Sequence, residues 1–173
     1  MRKYLTEKEI NERLKELTIV VDTREQVNQH ITSYFDSKKI PYITRKLDTG
    51  DYSAMIGSCT LERELVIEKK NGLDELAGNF TADRQRFEDE FIRAKAEDLK
   101  VFLLVENASW DDILLHNYRS KLDPKSLMAS LLSWQVRYNI TVNFCNANNT
   151  GQIIYMTLYY AAREALKNGL CYE

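Results

Sequence analysis

The chain first becomes continuously apolar at Thr18-Ile19-Val20-Val21, and this run ends abruptly in Asp22-Thr23-Arg24-Glu25. Apolar, largely β-branched residues with no polar interruption are typical of a strand that is covered on both faces. A second run of this kind, Val101-Phe102-Leu103-Leu104-Val105, ends at Glu106. Both runs therefore predict strands of a sheet buried between helices, with charged side chains collected where the strands end.

The segments around these two runs predict the remaining layers. Thr6 and Glu9 have the spacing of a capping box, which predicts a short first helix. Residues 42–47, 52–56 and 64–67 are strand-like and predict a meander, and an amphipathic last helix is expected from about 151 to 167. The predicted fold class is α/β, with a mixed central sheet flanked by helices. We expect an N-terminal helix over 1–17 and one main unit over 18–173, which together form a single domain.

Composition excludes several classes of protein. The 173 residues carry a net charge of −2, so any binding of nucleic acid must come from local basic patches or metal ions. No apolar run approaches the roughly 18–20 residues of a membrane span, and the charged N-terminus is unlike a signal peptide. We therefore expect a cytoplasmic protein with no membrane partner. Three cysteines at wide spacing, Cys59, Cys145 and Cys171, are interpreted as ordinary thiols.

Two further charged clusters lie beside predicted strands. Gly50-Asp51 opens the second strand of the meander, and Glu68-Lys69-Lys70 follows the third. The alternation of a strand places Glu68 and Lys70 on one face, while Lys69 points away. If the sheet brings Asp51 alongside, two carboxylates and one ammonium group converge.

Such a trio has a specific chemical use. Two carboxylates can hold Mg²⁺ or Mn²⁺ and leave positions for water and a phosphate oxygen, and a lysine beside that water can orient it. This arrangement is typical of metal-dependent phosphodiester hydrolysis. The alternative is an ordinary solvated strand end at Glu68-Lys69-Lys70 and an ordinary turn at Gly50-Asp51.

Several of these motifs, in this order, resemble the XPF-type nuclease domain, whose signature is G-D, a variable gap, and then E-R-K-x-x-x-D. The matching segments are Val21 to Glu25, Gly50 to Tyr52, Val66 to Asp74, Asp83 to Glu90, and Val101 to Glu106. The resemblance implies a restriction-endonuclease-like fold and a Mg²⁺- or Mn²⁺-dependent DNA endonuclease. Selectivity for flap, fork or branched DNA in recombination or repair is also implied.

The resemblance also implies roles for individual residues. Asp51 and Glu68 are the expected metal ligands, and Lys70 is expected to orient the attacking water. The expected supporting groups are Asp22, Arg24, Glu25 and Asp74. Lys69 stands where the family has arginine, and a lysine lacks the planar fork with which arginine binds a carboxylate or phosphate. The chain ends at Glu173 without the tandem helix-hairpin-helix region typical of the family, so we expect a stand-alone nuclease domain of bacterial or phage type.

DNA is the expected partner, with Arg84 and Arg86 as candidate phosphate contacts. The last helix carries Ile154, Leu158 and three tyrosines, Tyr155, Tyr159 and Tyr160. We interpret this apolar surface as a face for a homodimer, and the alternative is a separate partner that supplies specificity. Two other functions stay open at this point: an inactive DNA- or partner-binding module of the same fold, and a protein that binds nucleotides or sugar phosphates. The latter would lack the Gly-rich loop expected after a first strand.

Overall fold

The fold is built around one mixed sheet, seen in a computed structural model that describes residues 4–171. Its strands are β1 (Leu17–Val21), β2 (Tyr42–Thr44), β3 (Tyr52–Ile56), β4 (Cys59–Thr60), β5 (Leu65–Lys70), β6 (Lys100–Glu106) and β7 (Ile140–Cys145). The helices are α1 (Glu7–Leu14), α2 (Gln29–Lys38), α3 (Leu73–Asn79), α4 (Arg84–Ala96), α5 (Trp110–Leu114), α6 (Pro124–Tyr138) and α7 (Thr150–Lys167). The predicted mixed sheet flanked by helices is confirmed.

The strand order is β2-β1-β3-β5-β6-β7, with the short β4 paired to β3 outside this path. β1 runs parallel to β2 and antiparallel to β3, whereas β5, β6 and β7 run parallel to one another. The predicted meander is therefore wrong at its first step, because β2 lies on the far side of β1 from β3. The reason is that α2 connects β1 to β2, and a helical crossover returns the chain in the same direction.

Two hydrophobic cores cover the two faces of the sheet. α1, α2 and α7 pack on the face where Ile19 and Ile67 are buried. α3, α4 and α6 cover the opposite face, where Val66, Leu103 and Trp134 belong to one buried cluster. Because both faces of the sheet are covered, the apolar runs in β1 and β6 do not alternate between apolar and polar residues.

The last helix, α7, packs apolar side chains into the core that it shares with α1 and α2. Ile154 and Leu158 are fully buried, and Tyr155 and Tyr159 pack against the same cluster. The predicted dimer face is therefore wrong for Ile154 and Leu158, because the sheet already covers them. Tyr160 is exposed over 58% of its surface, and a homodimer stays a prediction.

Cys59 in β4 and Cys171, which follows α7, form a disulfide. The interpretation of these two residues as ordinary thiols is wrong, whereas Cys145 is a free thiol. The two bonded residues are 112 positions apart, so no local spacing signals the pair. α1 helps to bring them together, because the Arg13 guanidinium donates to the carbonyl oxygen of Cys171 at 2.8 Å.

Reduction of this disulfide should lower the free energy of unfolding. A crosslink restricts the denatured chain, and such bonds contribute about 2–4 kcal/mol. Cys59→Ser should therefore lower the melting temperature as dithiothreitol does, and Cys145→Ser should leave the response to dithiothreitol intact. A melting temperature that is the same with and without reductant would contradict the crosslink.

None of the helices within residues 4–171 is both long and apolar enough to cross a bilayer.

The predicted boundary between 1–17 and 18–173 would separate α1 from the main unit, although Ile10 and Leu14 of α1 are buried in the same core as α7. The outermost residues of these two predicted segments, 1–3 and 172–173, lie outside the described residues, and the division stays a prediction.

Candidate metal-binding active site

Gly50 and Asp51 lie between β1 and β5, directly before β3. The Asp51 amide donates to the carbonyl of Ile67, and the Asp51 carbonyl accepts from the amide of Asp22, both at 2.8 Å. Gly50 has a φ of 77°, and a Cβ at this position would lie 2.7 Å from the Cβ of Val66. Glycine is therefore required for the backbone to pass this close to β5 and to deliver Asp51 to the end of the sheet.

Gly50→Ala should destabilise the fold and displace Asp51. Overpacking against β5 costs about 1–3 kcal/mol, and the left-handed backbone of this residue adds to that cost. Gly78→Ala is the matched control, because nothing lies within 4 Å of a Cβ built at this helical position. That control should gain about 0.5–1 kcal/mol. Urea unfolding measures both variants, and equal stability of the two would contradict the close approach at Gly50.

The carboxylates of Asp51 and Glu68 line the same two cavities, of about 260 and 280 Å³. Asp51 Oδ2 accepts the backbone N–H of Lys69 at 2.7 Å, which fixes the orientation of the carboxylate. Burial, and after it repulsion from Glu68, raises the pKa of Asp51 to about 8. Two carboxylates that repel each other in a recessed site are costly without a cation between them.

Lys70 supplies one positive charge beside this pair. Its Nζ donates to Glu68 Oε1 at 2.8 Å, lies 3.7 Å from Glu75 Oε1, and sits 5.0 Å from the centre of the Phe87 ring. Burial by itself lowers the pKa of Lys70, but the carboxylates of Glu68 and Glu75 outweigh burial and the net pKa is raised. Lys70 is therefore a cation that can orient water or phosphate.

Lys69 points to the opposite face, as the alternation of the strand predicts. Its buried Nζ donates to the carbonyl of Val27 at 3.2 Å and to Asn71 Oδ1 at 2.6 Å, and lies 3.8 Å from Glu25 Oε1. Glu25 lines the 260 Å³ cavity, and burial raises the pKa of its carboxyl group. Lys69 thus ties the segment after β1 to the segment after β5, and it lines the 260 Å³ cavity together with Asp51 and Glu68.

Asp22 has its hydrogen-bonding capacity taken up within the protein. Its carboxylate accepts from the Arg24 amide and Nε, at 2.8 and 2.7 Å, and from the amide of Leu47 at 2.6 Å. Burial alone raises the pKa of Asp22, but the hydrogen bonds from Arg24 and Leu47 lower it overall. Asp22 therefore holds Arg24, whose side chain is 62% exposed and lines both cavities that contain Asp51 and Glu68.

Asp74 is not part of this cluster. Its two carboxylate oxygens accept from the amide and Nε of Arg119, each at 2.7 Å. The two hydrogen bonds lower the pKa of Asp74. Both residues line a separate cavity of about 520 Å³. The structure thus brings Asp51, Glu68 and Lys70 together, and places Asp74 to one side.

The helix α4 adds side chains that the sequence reasoning missed. Glu90 and Arg93 line the 280 Å³ cavity with Asp51 and Glu68, and burial raises the pKa of Glu90. The signal was available in the helical spacing of Phe87, Glu90 and Arg93, because residues three positions apart lie on one side of a helix.

The two arginines predicted to contact DNA lie in different surroundings. Arg86 is exposed, and its charge acts on Glu90. Arg84 packs its guanidinium over the rings of Phe80 and Trp134 and donates to the hydroxyl of Ser130 at 3.2 Å. DNA binding by either residue stays a prediction.

Asp51 and Glu68 are the residues suited to hold a divalent cation. Their oxygen atoms are the donors that Mg²⁺ and Mn²⁺ prefer, and a cation would relieve the repulsion that raises the pKa of Asp51. Within residues 4–171, no group of three or more His, Cys, Asp or Glu side chains is arranged to hold a metal ion. A pair of carboxylates still fits Mg²⁺, which commonly binds through one or two carboxylates and substrate phosphates and keeps several waters.

Comparisons with known proteins agree with this geometry. The family model described as the ERCC4 domain matches residues 21–157. The structure of XPF from Aeropyrum pernix matches with a TM-score of 0.60 and 24% identity, over 86% of this chain and 61% of that chain. XPF from Aeropyrum pernix in complex with DNA matches with a TM-score of 0.61 and 22% identity, over 87% of this chain and 66% of that chain. No curated protein matches the sequence significantly.

These matches confirm the expected resemblance to the XPF-type nuclease domain. At identities of 24% and 22% they establish a shared fold. This chain spans about two thirds or less of the length of the XPF chains it matches.

Proposed function

Because the chain belongs to the ERCC4 domain family, we propose that it is a metal-dependent DNA endonuclease. The observation that carries the proposal is the convergence of Asp51, Glu68 and Lys70 at one cavity at the end of the sheet. The family and the fold support a role in DNA binding and DNA cleavage. DNA as the substrate is supported by the complex of XPF from Aeropyrum pernix with DNA.

Each of these residues has a defined part in phosphodiester hydrolysis. Asp51 and Glu68 would hold Mg²⁺ or Mn²⁺, which when bound would supply acidification of a water and neutralisation of charge on the phosphate. Lys70 orients the water that attacks phosphorus, and a bond forms between this water's oxygen and phosphorus. The bond from phosphorus to the 3′ oxygen breaks, and this oxygen leaves as a 3′-hydroxyl with the proton that the water gives up. Arg24, held by Asp22, faces the same cavities and offers its guanidinium to the phosphate.

We further propose that the enzyme selects DNA by structure, at flaps, forks or branches, in recombination or repair. The exposed cations that line the 280 Å³ cavity, Arg24 and Arg93, suit contacts with backbone phosphates, which carry no sequence information. Lys69 provides the buried charge at the position where the family has arginine.

The test is a cleavage assay with end-labelled flap, fork, four-way-junction and plain duplex DNA of matched sequence. Each substrate is incubated with Mn²⁺, Mg²⁺ or EDTA. We expect cuts with the metals, none in EDTA, and faster cutting of the branched substrates. No cleavage of any substrate would overturn the nuclease proposal, and equal cutting of duplex and branched DNA would overturn the selectivity.

A further inference from the structure

Three cavities are linked by shared lining residues, and together they are called the trough. The cavities of about 280 and 260 Å³ share Arg24, Asp51 and Glu68. The cavity of about 260 Å³ in turn shares Asn71 and Glu75 with the cavity of about 520 Å³. A polymer that lies against Asp51 and Glu68 therefore has a path that continues past Asn71 into the third cavity, which the chemistry above does not use.

Arg119 lines the third cavity, and its guanidinium is hydrogen-bonded along the Nε edge. Asp74 accepts its amide and its Nε, each at 2.7 Å, while the side chain stays 90% exposed. Within residues 4–171 the structure gives the terminal nitrogens of this guanidinium no hydrogen-bond partner. A guanidinium fixed along its Nε edge presents these nitrogens in a defined direction, and their geometry suits a phosphate.

The remaining lining of the third cavity is compatible with a polyanion. Three asparagines, Asn71, Asn107 and Asn117, contribute neutral polar surface. Asp74 is neutralised by Arg119, and Glu75 accepts from the amide and side chain of Asn71, each at 2.9 Å. Arg119 is the only cation among the described residues that line this cavity.

A second arginine that lines the trough, Arg24, is also held by a carboxylate. Arg24 is held by Asp22 through Nε at 2.7 Å and Nη2 at 3.2 Å, and lies within the reach of the charges of Asp51 and Glu68. Each of these arginines is thus fixed by a carboxylate that does not belong to the metal pair.

We propose that Arg119 binds a backbone phosphate of a DNA strand that leaves the metal pair through the third cavity, and that Asp74 is the positioning residue for this arginine. This inference rests on the proposed function, because the strand it describes is the substrate of the nuclease. It gives Asp74 a part in the path of the strand and none in holding metal.

The experiment measures DNA binding in EDTA, so that it does not depend on cleavage. A fluorescein-labelled flap DNA is titrated with the wild-type chain and with Arg119→Gln, and the affinity is followed by anisotropy from about 50 to 200 mM salt. We expect weaker binding by Arg119→Gln and a salt slope that is shallower by about 0.7–0.9, which is the value of one phosphate contact. Arg137→Gln is the matched control, because Arg137 is 56% exposed, is paired with Glu88 and lines none of the three cavities.

Asp74→Asn tests the positioning role. We expect Asp74→Asn to weaken binding alone and to have no further effect in the Arg119→Gln background, because residues that act through one contact are not additive. A purely structural role for Asp74 would instead give additive losses, and melting temperatures check that each variant folds.

The outcomes separate this inference from the proposed function. If the wild-type chain cleaves DNA and Arg119→Gln keeps the wild-type affinity and salt slope, the assignment of Arg119 is overturned and the nuclease stands. Additive losses overturn the role of Asp74. A wild-type chain that neither binds nor cuts DNA overturns the proposed function, and this inference with it.

Discussion

Asp51→Asn should abolish DNA cleavage and, in EDTA, raise the melting temperature of the protein. The carboxylate of Asp51 is buried and repelled by Glu68, so its removal relieves a cost that the fold carries without a cation. Asparagine keeps the size of the side chain and the oxygen that accepts the Lys69 amide. We expect a gain of several degrees, since 1 kcal/mol shifts the melting temperature of a domain this size by about 2–4 °C.

The same variant should lose its response to metal. A ligand that binds only the folded state stabilises it, by about 2.7 kcal/mol at a concentration 100 times its dissociation constant. Wild-type protein should therefore melt at a higher temperature in Mn²⁺, and Asp51→Asn should not. Loss of metal-dependent chemistry is worth several kcal/mol of activation free energy, or about 10³-fold or more in rate.

Asp48→Asn is the matched control, because Asp48 is an exposed carboxylate that lines the same 280 Å³ cavity as Asp51 and is not one of the metal pair. The charge change is identical, and neither cleavage nor melting temperature should change appreciably. Full cleavage by Asp51→Asn would remove Asp51 from the metal site. A lower melting temperature in EDTA would show instead that its carboxylate stabilises the fold.

Much of this site could be predicted because its parts are local in sequence. A strand buried on both faces has a continuously apolar sequence, as in the run Thr18 to Val21. The alternation of side chains along β5 is enough to place Glu68 and Lys70 on one face and Lys69 on the other. A glycine at position 50 predicts a tight turn, because a side chain there would be strained at a φ of 77° and would clash with Val66.

The features that were missed or misplaced depend on contacts between distant parts of the chain. Asp74 stands in the expected motif, but its partner Arg119 lies in the loop between α5 and α6. No sequence pattern near Asp74 predicts a contact with that loop. The disulfide between Cys59 and Cys171 joins a strand to the end of the chain in the same way. Pairing of β2 with β1 follows from the crossover through α2, which hydrophobic periodicity does not record.

Lys70→Met should separate the holding of metal from the orientation of water. Methionine keeps an unbranched apolar stem against the ring of Phe87, and it removes the charge that now contacts Glu68 at 2.8 Å. We expect cleavage to fall by about 10²–10³-fold, the usual cost of removing one group that stabilises charge in the transition state. In EDTA the protein should be less stable, because Glu68 and Asp51 lose their buried counter-ion.

Mn²⁺ should raise the melting temperature of Lys70→Met at least as much as that of wild type, since both carboxylates remain and no ammonium group competes for Glu68. Lys70→Met should therefore keep the metal response and lose cleavage, whereas Asp51→Asn should lose both. Lys95→Met, at an exposed lysine on α4 that contacts the carbonyl of Arg137, controls for the loss of one charge. Should Lys70→Met lose the metal response together with cleavage, Lys70 acts by shaping the carboxylate pair, and its proposed contact with the attacking water is wrong.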